Sequence, residues 1–319
     1  MSIVAGIDIG GTNTVLGLVD REGAILAERS IDTTAYPDPE SFAEAIAASL
    51  RALHEHLSAP PPIAGIGVGA PNGNYFSGTI EEAPNLRWKG VIPFADLLRD
   101  ATGIDTVLTN DANAAAIGEM MFGAASHFRD FALVTLGTGL GSGFVAGGEL
   151  LYGSTGFAGE LGHVMVVEQG RRCGCGRRGC LETYVSAPGL LRTVAELLSE
   201  QGFGSSLSSI PLTSLTAADV ADAAQHGDAL ARLAFERTGT LLGAALANTA
   251  ALFSPEAFIL FGGLARAGRL LFEPTQREME ARMLPILKGS VRLLRSALMD
   301  RNAAVLGAAA LSWKSVERA

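Results

Sequence analysis

Cysteine is scarce in this chain and oddly placed. There are three, all between residues 173 and 180. An odd, tightly spaced set makes a poor disulfide framework, which excludes a small stapled fold. Charge is sparse too. Charged residues make up 18% of the chain, below the roughly 25% usual in soluble domains, while hydrophobic residues reach 48%, a balance that excludes disorder. Basic residues are outnumbered, 24 Lys and Arg against 33 Asp and Glu, for a formal net charge of −9. No long basic stretch offsets that charge, so no nucleic-acid partner is expected. Long apolar runs are missing. The longest uncharged one in a helical context, Gly239–Phe253, contains Asn248 and two threonines and falls short of the roughly 20 residues of a membrane span. No membrane partner is expected. The opening MSIVAGIDIG lacks a basic segment followed by a long apolar one, so a secretory signal is not expected and the chain reads as cytoplasmic.

Glycine, by contrast, is abundant: 39 of 319 residues, about 12% against roughly 7% on average. There is no G-X-Y period, so collagen is excluded. The glycines cluster beside apolar runs, which points to tight turns and backbone close to a ligand. The length leaves room for two domains.

Short apolar runs at Ile3–Gly10, Thr14–Val19 and Ala24–Ile31 predict consecutive strands joined by turns. Helical spacing follows over Ser41–Leu57, then a strand at Ile63–Gly69, a helix at Asp96–Ala101, a strand at Thr106–Leu108 and a helix at Asp111–Phe122. The pattern then restarts. Ile7-Asp8-Ile9-Gly10-Gly11-Thr12 lies over Val134-Thr135-Leu136-Gly137-Thr138-Gly139, each within strand, small-residue turn, strand, glycine turn, strand. A separation of 127 residues is too long for a solenoid, so this predicts one fold unit used twice. Helices are expected over Pro188–Glu200, Ala217–Ala224, Asp228–Phe253, Leu270–Met283 and Asn302–Trp313, with a strand at Phe258–Phe261. Alternating strands and helices mean an α/β fold.

Several motifs carry chemistry. In Asp8-Ile9-Gly10-Gly11-Thr12-Asn13 the glycines allow backbone N–H groups to close around phosphate oxygens, Thr12 and Asn13 add donors, and Asp8 is placed to face a phosphate-bound metal. A plain Gly-Gly turn is the alternative. Gly137-Thr138-Gly139-Leu140-Gly141-Ser142-Gly143 is a candidate second phosphate loop; it lacks the Gly-Lys-Ser/Thr of a Walker motif. Gly262-Gly263, after a strand, is a third place for a ligand, here its nucleoside part. Asp111, within Thr109-Asn110-Asp111-Ala112-Asn113, is either a helix N-cap or a general base taking a hydroxyl proton. Cys173, Cys175 and Cys180 form a Gly-rich knuckle, with His163 ten residues upstream of Cys173. One His and three Cys fill a closed tetrahedral site, which points to structural Zn²⁺. Arg171, Arg172, Arg177 and Arg178 are available to offset its formal charge. Glu160, Glu182 and Asn85 offer hydrogen bonds suited to a polyol, although each is individually ordinary.

Together these residues resemble the ROK family of bacterial sugar kinases and repressors, along essentially the whole chain. The resemblance rests on Asp8-Ile9-Gly10-Gly11-Thr12, Thr109-Asn110-Asp111-Ala112-Asn113, Glu160-x-Gly162-His163, the CxCGxxGCxE run from Cys173 to Glu182, and Phe261-Gly262-Gly263. It implies a duplicated actin-like ATPase (ribonuclease H-like) fold with two domains and an interdomain cleft. The smaller domain is expected over 1–117 plus a returning helix in 301–319, and the larger over 118–300. Asp111 would be the catalytic base. Asn85, Asn110, Asp111, Glu160, His163 and Glu182 would hold a hexose. Asp8, Gly10, Gly11, Thr12, Asn13, Thr138, Gly139, Gly262 and Gly263 would surround ATP, with Asp8 near Mg²⁺. His163, Cys173, Cys175 and Cys180 would ligate zinc. A homodimer through the helices after residue 185 is also implied. One departure stands out: the family often has Ala-Pro-Gly where this chain has Ala70-Pro71-Asn72-Gly73. The family's repressors carry a helix-turn-helix before the first glycine loop; with that loop starting at residue 8, none is expected here. The expected activity is phosphorylation of a hexose at its 6-hydroxyl, glucose first. N-acetylmannosamine, N-acetylglucosamine and fructose are the alternative substrates, and a sugar sensor without turnover is the alternative class.

Overall fold

The computed structural model describes residues 2–201 and 204–317. The chain divides into two compact units. One comprises Met1–Phe128, Gly143–Gly159 and Ala297–Ala319; the other comprises Arg129–Ser142 and Glu160–Ser296. The expected boundary after residue 117 would have cut a helix that the first unit keeps whole.

In the first unit, β1 (Ile3–Ile9), β2 (Asn13–Val19) and β3 (Ile25–Asp32) form an antiparallel meander. Helix α1 (Pro39–Glu55) follows, started by Asp38, whose carboxylate accepts from the Ser41 N–H, and by Pro39 at its first position. Strand β4 (Ile63–Gly69) returns parallel to β1. The chain then makes a small sheet from β5 (Gly73–Asn74), β6 (Thr79–Glu81) and β7 (Val91–Ile92). Helix α2 (Phe94–Thr102), strand β8 (Thr106–Thr109) and helix α3 (Asp111–Phe122) complete this stretch. The main sheet has the order β3-β2-β1-β4-β8.

The pattern repeats with β9 (Phe131–Leu136), β10 (Leu140–Ala146), β11 (Glu149–Leu150), β12 (Ala257–Phe261) and β13 (Arg292–Arg295) in the order β11-β10-β9-β12-β13. Strands β12 and β13 run parallel to β9. Counted within each repeat, both orders read 3-2-1-4-5, so the duplication seen in the glycine motifs is a duplication of topology. This is the actin-like ATPase fold.

Helices α4 (Ala187–Gln201), α5 (Ala217–Gln225), α6 (Ala229–Phe253) and α7 (Arg269–Arg282) belong to the second unit. Helix α5 opens on a reciprocal capping box between Thr216 and Asp219. Among the described residues, no helix is long and apolar enough to cross a membrane.

The last helix, α8 (Ala303–Val316), belongs to the first unit and is buried along almost its whole length. It lies on a glycine row in β1, β2 and β4. A Cβ on Gly6 would stand 2.2 Å from the Val305 carbonyl oxygen, and one on Gly67 only 1.9 Å from that of Ala308. Gly17 and Gly65 meet Val305 and Ser312 side chains in the same way. On its other side, Gly307 faces Gly118 of α3. Part of the glycine excess therefore serves helix–sheet packing rather than turns or ligands.

Candidate active site

The parallel strands of the first sheet end level with one another. Asp8 of β1 pairs with Gly69 of β4, and Gly69 pairs with Thr109 of β8. Carboxyl ends of parallel strands are where α/β sheets place ligands. Here they bring two carboxylates around one glycine: a Cβ on Gly69 would lie 3.7 Å from the Asp111 Cα and 3.9 Å from Asp8 Oδ1. Burial pushes the Asp8 carboxyl up to about 6, and the negative charge of Asp111 adds to the rise. Asp111 is open to solvent on one side but set deep among protein atoms on the others. Burial raises its carboxyl too, opposed by the Ala112 N–H, which donates to Asp111 Oδ1 at 2.8 Å.

The N-cap of α3 is not Asp111. Asn110 takes that place, its Oδ1 accepting from the Asn113 N–H at 2.7 Å. Asp111 is thus the first helical residue, near the positive end of the helix dipole.

The elevated Asp8 carboxyl has a sign that can be tested. Its folded-state value exceeds that of the unfolded chain, so the native state binds the extra proton between about pH 4 and 6. Stability from this group falls as pH rises through that window and stays low above it. Asp8→Asn is therefore expected to stabilise the ligand-free protein at pH 7.5 by on the order of 2 kcal/mol, read as a higher thermal midpoint. At pH 4 the gain should vanish. Thermal melts at the two pH values decide it; an equal gain at both would sink the idea.

The first glycine loop is shaped by its own packing. The Gly10 N–H donates to the Asn13 carbonyl at 3.0 Å. A Cβ on Gly11 would fall 2.6 Å from the Asn85 carbonyl oxygen, so Gly11 is needed to seat the Asn85 loop beside it. Thr12 and Asn13 are exposed. The Asn85 loop is fixed at its flanks: Arg87 donates to the Thr34 carbonyl at 2.7 Å, Lys89 to that of Ala83 at 2.8 Å, and the Trp88 ring packs 5.0 Å from Phe42. At the Ala70-Pro71-Asn72-Gly73 departure, Asn72 adopts φ +51°, the left-handed conformation a glycine would take. Asn is among the few residues that tolerate it, so the backbone path accepts this replacement.

In the second unit the loop between β9 and β10 repeats the design, with the Gly137 N–H donating to the Gly139 carbonyl at 3.0 Å. Gly262, at φ +102°, sits against Leu136, where a Cβ would be 2.5 Å from the carbonyl oxygen. Gly137 and Gly263 are different: a Cβ there would meet nothing within 4 Å. Both line a cavity of about 500 Å³, together with Ala187, Leu264 and the Ala218, Ala221, Gln225 face of α5. Of the four second-unit positions expected at the nucleotide, Gly263 lines this cavity, Gly139 packs beside Glu182, Gly262 packs beside Leu136 of β9, and Thr138 is exposed.

The knuckle gathers its expected ligands. One donor atom each from His163, Cys173, Cys175 and Cys180 lies within 4.8 Å of all the others. His163 Nδ1 is 3.6 Å from Cys173 Sγ, and the Cys175 and Cys180 sulfurs are 3.7 Å apart. Ligands around tetrahedral zinc, with Zn–S near 2.3 Å, stand about 3.7 Å apart, so the donor set fits that ion. Nδ1 faces the sulfurs while Nε2 faces outward, 3.9 Å from Glu160 Oε2. Glu182 ties the knuckle to the second glycine loop. Its Oε2 accepts from the Leu140 N–H at 3.1 Å, and its Oε1 lies 3.6 Å from Cys173 Sγ. Gly139 must be glycine for this contact, since a Cβ would lie 2.5 Å from Glu182 Oε2.

The family model of the ROK family matches residues 4–315. The chain belongs to the ROK family. A glucokinase of Halalkalibacterium halodurans is 36% identical over 95% of this chain and 92% of its own. A putative xylose repressor of Caldicellulosiruptor is 30% identical, over 98% of this chain and 78% of its own. A ROK family glucokinase from Streptomyces griseus, solved in complex with glucose and AMPPNP, superposes with a TM-score of 0.81 at 33% identity, over 98% of this chain and 99% of that one.

The packing role of one buried cation of this ROK chain escaped sequence reasoning. Arg171 does not turn toward the thiolates. Its guanidinium donates to both carboxylate oxygens of Glu196 and to the Thr183 and Gly189 carbonyls, and stacks 4.4 Å over Tyr184. It rivets the knuckle to α4. Arg177, rather than Arg171, is the guanidinium beside a thiol: its backbone N–H and side chain hold Cys175 down to about 6. Arg171→Ala is expected to cost about 3 kcal/mol, because it strands two carbonyls and one end of a half-buried ion pair. Arg171→Lys should rescue little, since one ammonium cannot replace the planar fork. Urea unfolding of the three proteins measures this, and a loss below about 1 kcal/mol for the alanine variant would contradict it.

Proposed function

We propose that this chain is an ATP-dependent sugar kinase that phosphorylates the 6-hydroxyl of a hexose, with glucose as its preferred acceptor. The observation that carries the proposal is the meeting of Asp8 and Asp111 at the ends of β1, β4 and β8, in a chain of the ROK family. Its likeness to two glucokinases supports the choice of glucose.

In the first unit, Asp111 takes the O6 proton as O6 attacks the γ-phosphorus; the bond from that phosphorus to the bridging oxygen breaks and ADP leaves. Asn85 and Asn110 bind sugar hydroxyls. Asn110 spends its Oδ1 on the helix cap, so its Nδ2 is the group left to donate. Gly10, Gly11, Thr12 and Asn13 receive the phosphates with backbone and side-chain donors. Two neighbouring carboxylates, one raised to about 6, fit a divalent cation, and Asp8 is the residue that would face Mg²⁺. That ion supplies charge neutralisation on the phosphates.

In the second unit, Thr138, Gly139, Gly262 and Gly263 receive the nucleotide, whose base fits the cavity at Gly137 and Gly263. Glu160 and Glu182 accept from sugar hydroxyls, and His163 donates from Nε2. His163 Nδ1 and the three sulfurs would hold zinc, which would fix that ring orientation. One zinc per chain is expected by elemental analysis, falling to none in Cys180→Ser with a lower thermal midpoint. A metal-free parent would remove the zinc assignment.

The test of the reaction is ADP release across hexoses and N-acetylhexosamines, with Asp111→Asn alongside. Turnover on glucose that is lost in the variant supports the proposal. Preference for N-acetylmannosamine, N-acetylglucosamine or fructose keeps the mechanism and replaces the substrate. Sugar binding without turnover identifies a sensor.

A further inference from the structure

Between β4 and α2 the chain builds a polar knot with no counterpart in the motifs above. Its centre is Asn74, only 7% exposed. Both faces of its amide are in use. Nδ2 donates to Glu81 Oε1 at 3.0 Å and to the Thr155 carbonyl at 2.9 Å, while Oδ1 accepts from the Phe76 N–H at 3.1 Å. Glu81 Oε1 also accepts from the Thr79 hydroxyl at 2.9 Å, which orients the carboxylate toward Asn74. Against the amide plane lies Gly156, at φ +87°; a Cβ there would be 2.4 Å from Asn74 Oδ1 and 2.8 Å from its Cγ. Beside it the Tyr75 and Tyr152 rings stack at 4.1 Å, 9° from parallel.

The contacts to Thr155 and Gly156 and the Tyr75–Tyr152 stack join two distant segments of the first unit, the β5–β6 hairpin and the 150–159 loop. That loop is rich in left-handed glycines, Gly153, Gly156 and Gly159, and has little regular structure of its own. It runs directly into Glu160-Leu161-Gly162-His163. Asn74 holds the Thr155 carbonyl and covers Gly156 together, a tie from outside the loop that gives its end a fixed starting point.

We propose that Asn74 is a positioning residue for sugar binding: by clamping Thr155 and Gly156 it sets the point from which the chain departs toward Glu160 and His163. This rests on the sugar-binding role given above to those two residues. Asn74 touches no substrate; it acts through the loop.

Asn74→Ala is expected to lower kcat/KM for glucose about 10- to 100-fold, mainly through KM, with KM for ATP within about twofold of the parent. Gly156→Ala should reproduce the effect by pushing the amide away. The pair Asn74→Asp and Glu81→Gln separates positioning from simple hairpin stability. The double variant restores the hydrogen bond between residues 74 and 81 but leaves the Thr155 carbonyl without its donor. A double variant as defective toward glucose as Asn74→Asp supports the proposal; one restored to parental affinity overturns it. Hydrogen exchange gives a readout independent of turnover: amides of 150–159 should exchange faster in Asn74→Ala. Calorimetric glucose binding replaces KM should the parent bind sugar without phosphorylating it, so failure of the kinase assignment is told apart from failure of the clamp. Unchanged exchange in 150–159 together with unchanged glucose affinity would overturn it.

Discussion

Asp111→Asn should lower kcat about 10²- to 10⁴-fold while leaving glucose binding close to that of the parent. The amide is isosteric, and its oxygen can still accept from the Ala112 N–H that now meets Asp111 at 2.8 Å. The cap of α3 is untouched, because Asn110 supplies it. What disappears is the group able to take the hydroxyl proton. A second consequence follows next door. The Asp111 charge helps to hold the Asp8 carboxyl up, so its removal should let Asp8 ionise more easily and make the ligand-free protein more stable at neutral pH. Loss of turnover with gain in stability is hard to produce by damage to the fold. Steady-state kinetics and thermal melts on the same preparation measure both; a kcat within about tenfold of the parent would remove Asp111 as the base.

Gly67→Ala has the largest expected effect on stability. Its Cβ would be placed 1.9 Å from the Ala308 carbonyl oxygen and 3.0 Å from the Ser312 nitrogen, both backbone atoms of α8. No rotamer change relieves such a clash. The helix cannot simply lift, because Gly307 on its other side lies against Gly118, where a Cβ would stand 2.9 Å from the Gly307 Cα. Overpacking usually costs about 1–3 kcal/mol. Here two backbones must part, and a loss of about 4 kcal/mol or more is expected, seen as insoluble expression or a collapsed thermal midpoint. Gly263→Ala is the control. Its Cβ meets nothing within 4 Å and projects at the cavity, so its stability should be near parental while KM for ATP rises. Parental stability for Gly67→Ala would show that α8 is seated less tightly than described.

Much of this was legible in the sequence, for identifiable reasons. Strand β4 and helix α3 have the boundaries that apolar runs and turn residues predict. The repeated strand-and-glycine pattern announced one fold unit used twice, and both sheets share one strand order. The clustering of His163 with Cys173, Cys175 and Cys180 was readable because three thiols and a histidine have few other uses at that spacing. Other features had no local signal. Strands β5 and β7 have two residues each, too few for any periodicity, and β13 is a four-residue strand with arginine at both ends. Gly6 and Gly67 look in sequence like any strand glycine; only the position of α8 shows why no larger residue fits. Asn74 and Thr155 are 81 residues apart. Arg171 stands beside the thiols in sequence, yet its partner Glu196 is 25 residues onward. Long-range pairing of this kind depends on the fold and is decided after it.

The place of α8 in the chain also sets an order in time. The sheet it covers is begun by β1 and has its parallel strand β4 by residue 69, but the covering helix starts only at Ala303. At about 5–20 residues per second, a ribosome needs on the order of 10–50 s to span that interval. During it, the face of Gly6 and Gly67 has no helix to rest on. The second unit's residues, Arg129–Ser142 and Glu160–Ser296, are all synthesised before the first unit receives its final piece. Begun first, the first unit is finished last, and its exposed sheet face is where a nascent chain of this design depends most on protection from aggregation.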